Sequence, residues 1–341
     1  MKKYLLPKHK QYKANLHTHS NVSDGGLSPQ EIKEQYMKRG YSIVAYTDHE
    51  SLVDQSHLTD ENFLAINGYE YAVTQHLDGT YNDKATCHLN LWAKDPTNLS
   101  QVCYNPKYRK ARNVTEEEAW AAPHYGDYVT TKYCVEDINR VISEANKYGF
   151  LVCYNHPYWS MEGFNTFSQY DGYMAVEIYN TAARGNGQYE FTPYIYDELL
   201  RMGKRIYPVA ADDMHGIWKN AKYHKHAFGG WNMIASKSLT YSDVISAIEN
   251  GDMYATVGGV DINEIYVDDN VLTLDFEPCE YALFRTQNRR GKMVFDDQDK
   301  PITTASFEIL PEDKYVFVCI KTYDGRWAVT RPYYADELLN E

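Results

Sequence analysis

The chain has no CxxC pair: its six cysteines, Cys87, Cys103, Cys134, Cys153, Cys279 and Cys319, are scattered. That spacing argues against a disulfide framework and a thiolate zinc knuckle, and it fits a reducing compartment. Also missing is any apolar run long enough to cross a bilayer. The start, MKKYLLPKHKQYK, is basic, but only Leu5 and Leu6 precede Pro7. The apolar core of a secretory signal is therefore lacking, and a cytoplasmic location is expected, although a chain trimmed of its signal would read the same. Basic residues are in short supply, 34 Lys+Arg against 47 Asp+Glu, for a formal charge of -13. A duplex nucleic acid or an anionic membrane is not an expected partner of such a chain. There is no internal repeat and no low-complexity segment.

What is present is 341 residues, 43% of them hydrophobic, enough for one large domain and a small one. The 32 tyrosines are a high number; clustered, they line a sugar or nucleoside site or pack a half-polar core. From 14 to 258, short apolar strands alternate with helical patterns, which predicts an α/β sheet or barrel. Strands are expected near 13–17, 42–47, 63–71, 86–92, 150–155, 174–179, 206–211 and 231–235. The first helix is marked by Ser28-Pro29-Gln30-Glu31, an N-cap serine, a proline at the first helical position and a capping-box glutamate. A second, from Val135 to Tyr148, puts Ile138, Val141, Ile142 and Ala145 on one face and ends at Gly149. A third, from Ser242 to Asn250, stops at Gly251. The stretch 93–134 shows no period, and loops of that length are often lids or binding loops. After 258 the pattern changes to alternating strands, which predicts a small antiparallel β domain over 259–341.

The strand ends carry the chemistry. In order they present His17, His19 and Asp24 (LHTHSNVSDG), Asp48 and His49 (TDH), Glu70 (GYEY), His88 (CHLN), His156 (YNHP), and Asp213 and His215 (ADDMH). Each pattern alone is an ordinary polar strand end. Repeated at the mouth of a parallel barrel they point into one volume, and residues two apart on a strand share a face. Imidazole and carboxylate donors suit Zn, Fe or Mn. So large a set exceeds one ion's coordination and points to a polynuclear centre, which can hold hydroxide and clamp phosphoryl oxygens.

These motifs, with AIENGDMYATVGG near the end of the pattern, resemble those of the PHP (polymerase and histidinol phosphatase) family of metal-dependent hydrolases over about 13–258. The resemblance implies a distorted seven-stranded β/α barrel holding up to three ions. The implied metal ligands are His17, His19, Asp24, His49, Glu70, His88, His156, Asp213 and His215, with Glu70 as bridging carboxylate. The D-x-H spacing selects Asp213 and leaves Asp212 to a neighbouring role. Asp48 is expected either to hold an imidazole or to accept a proton.

The expected reaction is attack of a metal-bound hydroxide on phosphorus at a trinuclear site. The leaving oxygen needs a proton, for which His215, His88, His224 and His226 are candidates, and Arg184 is the first candidate cation for the phosphoryl oxygens. Lys107, Arg109, Lys110 and Arg112 form a basic cluster, either a steering lid or a solvated run. The expected substrate is a small phosphorylated metabolite or nucleotide. Alternatives are a carboxylic or carbamate ester or amide hydrolase using the same centre, an exonuclease on short single strands, and a carbohydrate- or partner-binding protein. The sequence gives no oligomeric state.

Overall fold

The structure is a computed structural model, and it describes residues 2–75, 85–107, 113–217 and 226–339. The strands are β1 (Lys3–Tyr4), β2 (Lys10–Asn15), β3 (Ile43–Tyr46), β4 (Leu64–Thr74), β5 (Thr86–Ala93), β6 (Phe150–Tyr154), β7 (Ala175–Asn180), β8 (Tyr207–Ala211) and β9 (Gly230–Ser236). They continue as β10 (Met253–Val257), β11 (Ile262–Asp268), β12 (Val271–Cys279), β13 (Tyr281–Thr286), β14 (Lys292–Val294), β15 (Ile302–Glu308), β16 (Tyr315–Lys321), β17 (Trp327–Thr330) and β18 (Tyr333–Tyr334). The first long helix, Pro29–Met37, starts as its sequence dictates. Ser28 accepts from the Glu31 amide, and Glu31 answers at the Ser28 backbone. The helices Val135–Lys147 and Tyr241–Asn250 bury the expected apolar faces, and the second ends at Gly251 with φ of 70°.

The fold is mixed α/β, with one large mixed sheet and a separate antiparallel sheet of β1, β11, β12 and β15. In the large sheet β2, β3 and β4 are parallel, as are β6, β7 and β8, but β5 is antiparallel to both β4 and β6. Strands β2 to β9 each give a residue to one core: Ala14, Ile43, Ile66, Trp92, Cys153, Ala175, Val209 and Ile234. The Trp92 indole crosses that core to donate to the Leu16 carbonyl at 2.9 Å.

The expected distorted seven-stranded barrel is corrected: the sheet does not close. The hydrogen-bonded ladder runs from β9 through β2 to β8 and does not return from β8 to β9. At that seam the Asn232 amide replaces the ladder, accepting from the Ala210 N–H at 3.2 Å and donating to its carbonyl at 2.9 Å. Gly230 permits the approach, because a Cβ there would lie 2.4 Å from the Tyr179 ring. On the other side β10 pairs with β17, so β13, β14, β16 and β17 extend the large sheet. No helix among the described residues is long and apolar enough to cross a membrane.

Candidate metal centre

Strand direction decides how each donor reaches the mouth. His17 and His19 follow β2 in extended backbone tied to the segment after β8 by the Thr18–Met214 bridge, and both are fully buried. Asp24 lies in the turn beyond, and His49 follows β3. Glu70 lies inside β4, which runs four residues further to Thr74. His88 corrects a simple expectation. It lies near the start of β5, not at a C-terminal strand end, and it reaches the mouth because β5 runs the other way. His156 follows β6 with φ of 25°, and Asp213 follows β8 with φ of 52°. Both backbones sit in a region disfavoured for residues with a Cβ. They are held there by bonds from the His156 amide to Glu177 Oε2 (3.1 Å) and from the Asp213 amide to the His17 carbonyl (3.1 Å).

All nine expected ligands converge. Their donor atoms fall into four groups: His19, Asp24, His49 and His215; His17, Glu70 and His156; His17, His19 and Asp213; and His49, Glu70 and His88. Glu70 is common to two of them, with Oε1 3.3 Å from His17 Nε2 and 3.0 Å from His88 Nδ1, and Oε2 2.9 Å from His49 Nδ1. Asp213 Oδ1 lies 3.0 Å from His19 Nε2 and 3.3 Å from His17 Nε2. Asp24 reaches His215 Nε2 at 3.5 Å and His49 Nε2 at 3.9 Å. Seven of the nine, all but the deeper His17 and His19, line a cavity of about 310 Å³, together with Trp159, Asn186 and His226.

Electrostatics separates the imidazoles. Burial, together with His215 and His49, pushes His19 down to about 3. Burial opposes protonation of His49 as well, but Glu70, Asp24 and Asp213 outweigh it and raise His49 to about 9. Burial would raise Glu70 and Asp213, yet His88, His17 and His49 around the first, and His17 and His215 around the second, hold both well below the usual carboxylate range.

The donor set fits divalent metal. His17 Nδ1 is 2.6 Å from Glu177 Oε1, which holds the ring with its Nε2 facing inward. His17 Nε2 lies 3.0 Å from His19 Nε2 and 3.3 Å from both Glu70 Oε1 and Asp213 Oδ1, a cluster of ligand-type atoms close enough to share one cation. His19 Nδ1, Glu70 Oε2 and Asp213 Oδ1 are buried without a partner in hydrogen-bond geometry, a costly condition unless a cation binds them.

Two expected residues lie elsewhere. The Asp48 carboxylate is spent on the next turn, accepting from the Ser20 N–H (2.7 Å), Ser20 Oγ (2.7 Å), Ser23 N–H (3.2 Å) and Ser23 Oγ (2.8 Å). It shapes the loop that carries Asp24 and holds no imidazole. Arg184 sits in the short helix Thr181–Gly185, half exposed, with Nε 2.9 Å from Glu190, and it does not line the cavity. His226 does line it, with its ring 6.0 Å from that of His215. His224, Arg109, Lys110 and Arg112 lie outside the described residues, and Lys107 is exposed. Asp212 turns away, accepting from Tyr36 (2.9 Å) and Thr181 (2.6 Å), so the D-x-H choice of Asp213 agrees with the geometry.

Sequence reading missed the layer behind the donors. Glu177 orients His17 and also binds the His156 amide. Asn155 donates to Glu70 Oε1 at 2.7 Å, and Asn180 donates to Glu177 and Asp213 at 3.0 and 3.2 Å. The signal for Glu177 was a lone carboxylate in AVEIYN, a strand buried throughout.

The chain is similar to PHP-like metal-dependent phosphoesterases. A two-domain protein of Bacteroides vulgatus, described as containing a predicted PHP-like metal-dependent phosphoesterase, matches with 97% of each chain covered, 16% identity and a TM-score of 0.46. An amidohydrolase from Chromobacterium violaceum, solved with sulfate and no metal, covers 62% of this chain and 90% of its own, at 14% identity and a TM-score of 0.40. By sequence, 101 residues are 33% identical to the DNA polymerase/3'-5' exonuclease PolX of Bacillus subtilis. The match spans 24% of this chain and 17% of that protein. No family model matches.

Proposed function

We propose that this chain is a metal-dependent phosphoesterase of PHP type acting on a small phosphorylated metabolite or nucleotide. The observation that carries the reading is the convergence of nine imidazole and carboxylate donors, seven of them lining one cavity, with His19 Nδ1, Glu70 Oε2 and Asp213 Oδ1 buried and lacking a hydrogen bond of good geometry. Up to three ions of Zn, Fe or Mn would be held by His17, His19, Asp24, His49, Glu70, His88, His156, Asp213 and His215. Glu70, common to two donor groups, would contribute to holding more than one of these ions. Such ions supply a water of lowered pKa and positive charge facing the oxygens of the transferring phosphoryl group.

The chain's own residues do the rest. Glu177 and Asn180 fix the orientation of His17 and Asp213, while Asp48 fixes the turn that presents Asp24. Trp159, whose ring lies 4.8 Å from His156 and 5.4 Å from His88, forms one side of the cavity. His226, in the wall and outside the donor set, would give a proton to the departing oxygen, and His215 is the second candidate.

Metal analysis and turnover on one preparation test the reading. Expected are more than one transition ion per chain and phosphate release from a panel of mono- and diesters that stops on chelation and resumes on re-addition. Turnover of carboxylic esters or amides in place of phosphoesters would move the chemistry to carbonyl carbon. Less than one ion per chain after growth in metal-supplemented medium would overturn the metal reading.

A further inference from the structure

Beside the metal cavity lies a second, larger recess of about 630 Å³ with a different character. Of the large apolar side chains the described residues expose, five line it: Tyr158, Met161, Phe164, Tyr189 and Tyr194, the two last each 68% exposed. An exposed apolar patch that concentrated marks a ligand surface more often than a casual one. Tyr158 and Tyr189 meet edge to face, with centroids 5.1 Å apart. No lysine or arginine is among the residues lining the groove; its polar groups are Gln188, Thr192, Glu162 and Glu198. Glu162 is already engaged by the hydroxyls of Tyr133, Tyr154 and Tyr170.

The two recesses share their walls. The segment after β6 gives His156 and Trp159 to the cavity and Pro157, Tyr158 and Met161 to the groove. The turn after the helix Thr181–Gly185 gives Asn186 to the cavity and Gln188 and Tyr189 to the groove. A small space shares His156 and Trp159 with the cavity and Tyr158, Tyr189 and Thr192 with the groove. Tyr158 and Trp159 are consecutive, with Cα atoms about 3.8 Å apart, so the two recesses adjoin across this segment.

We infer that the groove seats the planar base of a nucleoside-type leaving group while the phosphoryl end occupies the metal cavity. The link between the two rests on the phosphoesterase reading; the groove itself does not. Aromatic faces stack on any base, and the lack of lysine and arginine in the lining suits an uncharged ring better than a second phosphate. The amide, hydroxyl and carboxylate of Gln188, Thr192 and Glu198 suit the exocyclic groups of a base, which a plain aryl ring lacks.

The test titrates the full-length protein with adenosine, ribose and phenol by calorimetry, and compares kcat/KM for adenosine 5'-monophosphate and ribose 5-phosphate, which share a primary alkoxide leaving group. Adenosine is expected to bind at least about tenfold more tightly than ribose or phenol. Tyr189→Ala, at an exposed position that leaves folding intact, should weaken adenosine by about tenfold, and Tyr189→Phe should retain it. The same Tyr189→Ala change should bring the kcat/KM ratio of the two phosphates toward one, through KM. Equal binding of adenosine and ribose, phenol binding as tight as adenosine, or unchanged affinity in Tyr189→Ala overturns the groove assignment. Tyr189-dependent adenosine binding with no phosphate release from any ester supports the groove and overturns the phosphoesterase reading instead.

Discussion

The mouth of the β2–β9 sheet and the core of the C-terminal strands bury side chains for opposite reasons. At the mouth His17, His19, Glu70 and Asp213 are packed together, and His19 Nδ1, Glu70 Oε2 and Asp213 Oδ1 lack a hydrogen bond of good geometry. In the C-terminal strands the buried face is apolar, with Leu272, Leu274, Phe276, Phe284, Phe307, Val316 and Val318 in one cluster and the rings of Phe284 and Phe307 stacked 5.3 Å apart. Burying an unmatched polar atom costs stability, and burying a methylene supplies it. The comparison therefore separates a region maintained for chemistry from one that helps the chain tolerate it.

That division is broken most sharply at a donor. His17→Ala or Asp213→Ala should lower turnover by at least about 10³-fold, several kcal/mol of transition-state stabilisation, with a drop in bound metal and a far-ultraviolet circular dichroism spectrum that stays native. Phe284→Ala should do the reverse. It should cost roughly 3–5 kcal/mol of unfolding free energy, read from denaturant midpoints, with metal content per folded chain unchanged. Equal loss of stability from the two kinds of change would dissolve the contrast.

Glu177→Gln sharpens it, because it leaves every donor in place and only loosens the grip on His17. Metal affinity should fall by about 10- to 100-fold, measured by competition with a chelator of known affinity. The smallest expected effect is in pH dependence. Burial raises Glu162 above its ordinary value of 4.5, only partly offset by its three tyrosine donors. The folded state therefore holds more protons than the unfolded chain just above pH 4.5, and stability falls as pH rises through the elevated value, then levels. Unfolding midpoints followed from pH 4 upward should show this slope, and Glu162→Gln should flatten it.

Much of this was readable in the sequence. The strands from β2 to β9 and the capped helix Pro29–Met37 follow local pattern, and the nine donors stand out as ligand-type residues recurring strand after strand, although Glu70 lies inside β4 and His88 near the start of β5. What escaped depended on partners distant in the chain. The approach of His88 required knowing that β5 is antiparallel, and the open seam depended on an Asn232 side chain standing in for a ladder. Glu177 acquires its role only because β7 lies across from His17. Asp48 was misread by proximity in sequence, although consecutive residues in extended backbone face opposite ways, and its carboxylate reaches Ser20 and Ser23 while His49 faces Glu70. Arg184 was expected to meet a phosphate and instead meets Glu190.

The left-handed backbones at His156 and Asp213 set a limit on improving this protein. Each stores on the order of 1–3 kcal/mol that the rest of the fold must cover, and glycine would release it at either position. Selection for heat resistance alone should therefore find Asp213→Gly attractive and erase the chemistry in passing. A search for a hardier enzyme would do better among the apolar strands at the far end of the chain, where added stability and activity do not compete for the same residues.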